Sequence, residues 1–344
     1  MRAVASARAT TSASSESNVR KAALETPSLV VTIGRTGHGR GVAKPKVRRQ
    51  LAPYFLLAPA LVAFIFVFVV PTVYAIRTSL YADKVASGQA YGRTSQVFAG
   101  LENFGRAITD SDVLAGLRRL GIYGGIAIPF TMGLALVFAL LLDMRNSRPT
   151  DIARTAIFMP YAIPGVIATM MWGFLYLPSL SPLTRITDAL GWDRLDLLES
   201  PVLFFSLANV SIWGSVGFNM IILYTALRAI PAEIYGAARI DGCGELQLAL
   251  RIKVPLLAPA LLLTGFFSLI GTMQTYSEPI TLQSITSNIS SNFLPLMKVY
   301  NDAFFDDDLG GAAATSLLLA GASLAVSAIV LRLVNRRSKK LRAT

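Results

Sequence analysis

Apolar positions run together in this chain, and the charged ones are gathered between the runs. Six stretches contain no Asp, Glu, Lys, Arg or His: Leu51–Ile76, Leu120–Leu142, Thr155–Thr184, Ser200–Leu227, Val254–Ser277 and Leu309–Leu331. The shortest, at 23 residues, makes about 35 Å of helix at ~1.5 Å per residue, enough to cross a ~30 Å hydrocarbon core. Soluble cores rarely carry even one such run. The pattern therefore predicts an all-α integral membrane protein with six transmembrane helices. The two longest runs hold prolines and polar residues at their ends, so their helices are expected to be shorter than the runs.

Charge sets the orientation. With both termini cytoplasmic, the inner segments 1–50, 143–154, 228–253 and 332–344 hold 23 Lys and Arg, against 9 in the outer segments 77–119, 185–199 and 278–308. Positive charge collects on the inner face, so N and C termini are both placed there. The composition agrees: 53% of the 344 residues are hydrophobic and 15% charged, with a net charge of +12. A lone Cys243 rules out a disulfide scaffold, and a lone His38 in a polar segment leaves no Ser-His-Asp triad or histidine-rich metal site.

Residues 1–50 are rich in Ala, Ser, Thr and Arg. They read as a disordered basic cytoplasmic tail that anchors the first span. An organellar targeting peptide has a similar composition and Arg48-Arg49 resembles a twin-arginine signal, but the apolar run Leu51–Ile76 is too long for a cleavable signal's core. The cluster from Arg332 to Arg342 reads as a second basic tail at 333–344. Both clusters flank spans, which points to membrane lipids as their partners and to no nucleic acid.

The runs lack ionisable groups, which argues against a proton-driven pump or antiporter. No G-x-x-x-x-G-K-[ST] loop occurs, and no nucleophile with a base is visible. The chain is thus expected to be no enzyme and to need no cofactor or metal, with transport as the remaining function. Polar residues do occur at membrane depth: Asn209, Ser211, Trp213, Ser215 and Asn219 in the fourth run, Thr272 and Gln274 in the fifth. Amide, hydroxyl and indole groups suit a pathway for a polyhydroxylated solute; they equally suit interhelical hydrogen bonds. Gly121 and Gly125 form a GxxxG pair that reads as a packing notch, and Pro129, Pro160 and Pro164 can kink their helices.

The inner segment Arg228–Lys253 reads RAIPAEIYGAARIDGCGELQLALRIK and continues into Val254-Pro255. Pro231 suits a first helical turn, with Glu233 near the positive end of the dipole. Tyr235, Ala238 and Asp241 follow at helical spacing, Gly242 permits a stop, and Glu245–Lys253 forms a second helical ramp. A short helix lying across a membrane face is a lever that a soluble partner can push.

At this segment the chain resembles the permease subunits of binding-protein-dependent ABC importers, and most of all their carbohydrate branch of maltose and glycerol-phosphate type. The family's loop carries E-A-A-x-x-x-G and, nine residues on, I-x-L-P. Ala237, Ala238 and Gly242 match it, and nine residues intervene before Ile252-Lys253-Val254-Pro255. Gly100–Phe104, Phe158-Met159-Pro160 and Ala303-Phe304 look similar to further family stretches. The chain departs at Gly236, which stands where the motif has glutamate, and at Val254 in place of leucine. Glu233 can take over that contact, or a paired permease can carry the stronger loop, or the subunit is inactive.

The resemblance implies the type-1 permease fold, with a first helix and outer loop at 51–115 and a permease core at 116–332. It implies an ATPase-coupling loop built on Glu233, Tyr235, Gly236, Ala237, Ala238, Asp241, Gly242, Ile252 and Pro255. It further implies two copies of an ATP-binding subunit, a second homologous permease and an extracytoplasmic solute-binding protein, which the acidic run Asp306–Asp308 is a candidate to dock. The expected function is sugar import driven by ATP hydrolysis on the partners. The rival expectation is a self-sufficient secondary carrier or channel for a polar solute.

Overall fold

The computed structural model describes residues 52–85, 94–144, 150–191 and 196–342. The expected N-terminal tail, with His38, lies outside the described residues, and the side chains of 333–344 are not described. The chain divides into two compact units, residues 1–59 and 60–344. In the first, only the opening turns of helix α1 (Ala52–Phe64) are described. The second holds the bundle.

After α1 come a π-helical turn at Ile65–Val69 and α2 (Val70–Ser79). A hairpin follows, β1 (Tyr81–Val85) against β2 (Thr94–Phe98), antiparallel with Tyr81 opposite Phe98. Helix α3 (Glu102–Thr109) leads into α4 (Ser111–Leu142). Asp110 caps α4, its carboxylate accepting from the amides of Asp112 at 2.7 Å and Val113 at 3.2 Å. The helix therefore starts nine residues before the apolar run that announced it, and Arg118 and Arg119 ride on it.

Next are α5 (Thr150–Phe158), a 3₁₀ turn at Met159–Ala162, α6 (Gly165–Tyr176) and α7 (Pro182–Ala189). Then come α8 (Leu203–Arg228), α9 (Ala232–Ile240) and α10 (Glu245–Leu248). A π turn at Ala249–Lys253 passes through α11 (Val254–Leu256) into α12 (Ala258–Met273). Helices α13 (Ser277–Gln283), α14 (Pro295–Phe304) and α15 (Leu309–Arg342) complete the described chain.

Among the described residues, five helical segments are long and apolar enough to cross a membrane: Phe55–Ser79, Ser111–Leu142, Leu203–Arg228, Ala258–Gln283 and Leu309–Arg332. The third expected span differs from its prediction. It is two segments, Asp151–Ala162 and Gly165–Tyr176, meeting at 96°. Pro160 and Pro164 each remove an N–H from the ladder, and Pro164 holds an extended ψ of 131°. Counted as one span, the pair makes the sixth.

The core is a seam between α4 and α8. Leu120, Tyr123 and Ala127 of α4 pack with Leu203, Leu207 and Val210 of α8; further along, Ala135, Ala139 and Leu142 meet Val216, Met220, Leu223 and Leu227. Steps of three and four residues keep each set on one face. Between the two apolar clusters the same faces carry Thr131, Ser211 and Ser215, so the seam turns polar in its middle.

Close approach elsewhere needs glycine. A Cβ on Gly217 would run into the carbonyl oxygen of Ile157 and stand 2.7 Å from the Phe158 Cα. Gly121 and Gly125, by contrast, are exposed and have nothing near their missing Cβ atoms, so the GxxxG pair is no notch within this chain. That role falls to Gly124 against Thr272 and Gly116 against Pro295. Gly217→Ala should destabilise the detergent-solubilised protein by ~1–3 kcal/mol through overpacking, while Gly121→Ala should leave its melting temperature unchanged. Equal melting temperatures for both variants would contradict this packing.

Candidate functional site

The polar middle of the seam opens into a cavity of about 410 Å³, within the range of small-molecule sites. Its wall draws on α4 (Tyr123, Thr131), the α5–α6 break (Pro160, Tyr161, Ile163, Gly165), α8 (Ser211, Ser215, Asn219) and the end of α12 (Gly271, Thr272) with Glu278 of α13. Ser211, Ser215 and Asn219 stand four apart and so share one helix face. The Ser215 hydroxyl donates to the Ser211 carbonyl at 2.6 Å, and the Asn219 Nδ2 donates to the Ser215 carbonyl at 3.0 Å. Tyr123 Oη lies 2.5 Å from Ser211 Oγ, which donates to Glu278 Oε1 at 3.3 Å. A hydroxyl relay thus links α4, α8 and α13.

Of the expected pathway residues, Ser215 and Asn219 line this cavity, and Asn209, Trp213 and Gln274 do not. Residues two apart on a helix lie about 200° apart around its axis, which turns Asn209 and Trp213 away from Ser211. Asn209 Nδ2 donates to Tyr176 Oη at 2.9 Å, and Trp213 meets Trp172 edge-on with ring centroids 5.8 Å apart. Both residues bind α8 to α6. Gln274 is exposed and caps the end of α12.

Glu278 is the residue that sequence reasoning missed. The charge-free run ended one residue before it, which assigned it to an outer loop. The helical segment instead continues to Gln283 and brings the carboxylate to the cavity.

The second candidate region is the loop after α8. Pro231 caps α9 rather than joining it. Gly242, at φ +82°, stops the helix, and the Cys243 amide bonds back to the Ala238 carbonyl at 3.0 Å. Glu233, Gly236, Ala237 and Asp241 are exposed, as are Ile240, Leu246 and Leu250, while Ala238 is buried. Ile252 is half-buried and Pro255 exposed. Nothing lies within 4 Å of a Cβ placed on Gly236, so the missing side chain would have open space.

Tyr235 fastens the loop to the bundle. Its hydroxyl donates to the Leu227 carbonyl at 3.3 Å, and Lys253 Nζ sits 5.0 Å from its ring centroid. Burial, then the Asp143 charge, raise the Tyr235 pKa above the ordinary phenol value. Lys253 Nζ lies 2.7 Å from Asp143 Oδ2, and both side chains are 4% exposed. The contact is off the line of a directed hydrogen bond, so charge holds it. The end of α4, the start of the α12 ramp and α9 therefore meet at one buried ion pair.

A third polar cluster lies beyond the spans. Lys298 pairs with Asp302 at 3.0 Å and with Asp110 at 3.2 Å. Burial lowers the Lys298 pKa, but the two carboxylates outweigh it and hold it above the usual lysine value. In the acidic run, Asp308 pairs with Arg106 at 3.3 Å and accepts from the Gly311 amide, Asp306 accepts from Asn301, and Asp307 takes a positive φ of 53°. Asp306 and Asp307 remain exposed.

The chain matches the model of the family described as binding-protein-dependent transport system inner membrane component, over residues 131–340. It is similar to the sn-glycerol-3-phosphate transport system permease protein UgpA of Agrobacterium fabrum, 29% identical over 84% of this chain and 96% of the relative. It is likewise similar to the protein of that name in Salmonella typhimurium, 28% identical over 80% and 92%. Among solved structures, it resembles a chain of a bacterial ABC transporter involved in import of the acidic polysaccharide alginate. The TM-score there is 0.70 at 18% identity, covering 84% of this chain and 97% of the other. A second structure, of the alginate transporter with its pentasaccharide-bound periplasmic protein, gives 0.72 at 17% identity. The fold is shared.

Lys253→Met should leave Asp143 buried and alone, destabilising the protein by about 3–5 kcal/mol. Adding Asp143→Asn should recover part of that loss in detergent melts, and a double variant as unstable as the single one would sink the pairing. The Lys298 cluster predicts an alkaline limit. A lysine pKa raised by folding contributes stability that is complete below about 10.5, the unfolded value, and is lost as pH climbs through the folded one. The melting temperature should fall more steeply above pH ~10.5 in the parent protein than in Lys298→Met.

Proposed function

The chain belongs to the family of binding-protein-dependent transport system inner membrane components, and from that premise we propose that it is one permease half of an ATP-driven importer for a sugar or related solute. The half pairs with a second homologous permease and with two ATP-binding subunits, which supply the hydrolysis. An extracytoplasmic solute-binding protein delivers the solute to the outer face, where the exposed Asp306 and Asp307 offer a docking surface. Both termini face the cytoplasm, and their basic clusters bind lipid headgroups. The domain bounds are 1–50, 51–115, 116–332 and 333–344.

The observation that carries this is the loop after α8. A short exposed helix, stopped by Gly242 and joined through Tyr235 and Lys253 to the ends of α4, α8 and the α12 ramp, is suited to relay a push. The exposed apolar side chains of Ile240, Leu246 and Leu250 fit a groove on an ATP-binding subunit. Glu233, Gly236, Ala237 and Asp241 take the polar and close-approach positions of that contact. Closure of the ATPase pair then moves α9 and biases the bundle between inward- and outward-open states. The cavity at Ser211, Ser215 and Asn219 is the solute's station, and Asn209 and Trp213 position its helices.

The relatives' names, a glycerol-phosphate permease and an alginate importer, support an importer over a self-sufficient carrier. Gentle-detergent purification from native membranes should recover a nucleotide-binding subunit and a second six-span protein with this chain. Gly236→Glu, which has room for its side chain, should raise transport-linked ATP hydrolysis of the assembled complex about two-fold or more. Hydrolysis that is unchanged or weaker would count against α9 as the coupling helix, and repeated recovery of the chain alone from transport-competent membranes would overturn the importer itself.

A further inference from the structure

The cavity wall carries one carboxylate, Glu278, among hydroxyls. Asn219 offers the solute little: it is 4% exposed, its amide nitrogen donates to the Ser215 carbonyl, and its Oδ1 is sealed from solvent. Glu278 adds a carboxylate, an acceptor-only group with about four lone-pair sites. Among the described residues it is given one hydrogen bond, from Ser211. The hydroxyls of Ser215 and Thr275 already donate to backbone carbonyls. Among the described residues, no Lys, Arg or His lines the cavity.

We infer that the cavity takes an uncharged, hydroxyl-rich solute, a sugar or polyol, and rejects phosphate- and carboxylate-bearing ones, with Glu278 as the specificity-determining residue. This rests on the cavity being the solute's station in an importer. A sugar hydroxyl is a donor and pairs with the open lone pairs of the Glu278 carboxylate. A phosphate ester or a uronate bears like charge beside its hydroxyls, and set against Glu278 with no positive side chain on the described wall it adds repulsion. Rejection by a like charge is how a site discriminates without a tighter fit to its own ligand. The stacked rings of Tyr161 and Phe218, with centroids 4.9 Å apart, supply the apolar wall against which a sugar ring can lie.

The test uses the complete complex with its binding protein in proteoliposomes, so that only this chain changes between preparations. Uptake of radiolabelled trehalose, raffinose and glycerol is compared with that of sn-glycerol-3-phosphate and digalacturonate. In the parent complex the best neutral probe should exceed the best anionic one at least ten-fold. Glu278→Gln should cut that ratio at least five-fold, and Glu278→Lys should cut it further by admitting the anions. Anionic uptake equal to or above neutral uptake in the parent, or a ratio unmoved by Glu278→Gln, would overturn the inference and leave the importer standing. Uptake that proceeds without ATP would overturn the importer, and the charge ratio would still be read.

Discussion

In the hydrocarbon core no water is at hand to pair a bare peptide N–H or C=O, so every backbone polar group there must find its partner within protein or beside a wetted cavity. That constraint makes the spans helical, and it also dictates where they can stop being helical. The sharpest irregularity at depth is Met159–Gly165, where the chain turns through 96°. Pro160, Tyr161, Ile163 and Gly165 from that break all face the cavity. The end of α12 is the second irregular place, and Gly271, Thr272 and Thr275 face the same space. Two broken backbones share one void because a polar void is what allows them to break.

The remainder of the bundle has to hold that void open. The apolar seam between α4 and α8 closes above and below the polar middle, and small side chains keep it tight: Ala135 and Ala139 are wholly buried, and Gly217 lies against backbone of α5. At one end of the seam the Asp143–Lys253 pair adds a charge contact. A buried pair gains little net stability, since desolvating it costs about as much as the attraction returns. Its consequence is positional. It links α4 to the α12 ramp and, through Tyr235, to α9, so a displacement of the loop cannot leave the two helices where they were.

Much of this was legible from the sequence, because apolar run length and the loop's glycine register are local properties. The run Ser200–Leu227 holds a helix at Leu203–Arg228, shorter than the run as expected, and the loop helix stops at Gly242. The failures arose where an outcome depended on distant residues. A charge-free run of Thr155–Thr184 gave no sign of a right-angled bend, since proline in a membrane helix is compatible with either a kink or a break. Glu278 was set outside the membrane by its charge, although Ser211, 67 positions earlier, provides the donor that receives it. Asn209 and Ser211 are equally polar and two residues apart; only the packing of Tyr176 and Trp172 on one side of α8 decides which of them meets the cavity. The exposed GxxxG at Gly121 and Gly125 shows the same limit, since a motif for close approach does not say which chain approaches.

The surface of the break bears on the assembly. From Tyr161 to Ile167 every residue is exposed in the isolated chain. Lipid cannot be the neighbour there, because the Ile163-Pro164 junction departs from the helical ladder and irregular backbone is not found against hydrocarbon. Water from the cavity can cover one side of that segment, but the apolar side chains of Ile163, Val166 and Ile167 need an apolar surface on the other. A protein neighbour satisfies both demands, and a second copy of the same architecture would bring its own broken span and cavity wall to the junction. The half-built look of the site, polar on its inner wall and open along the break, fits the proposed pairing with a second permease.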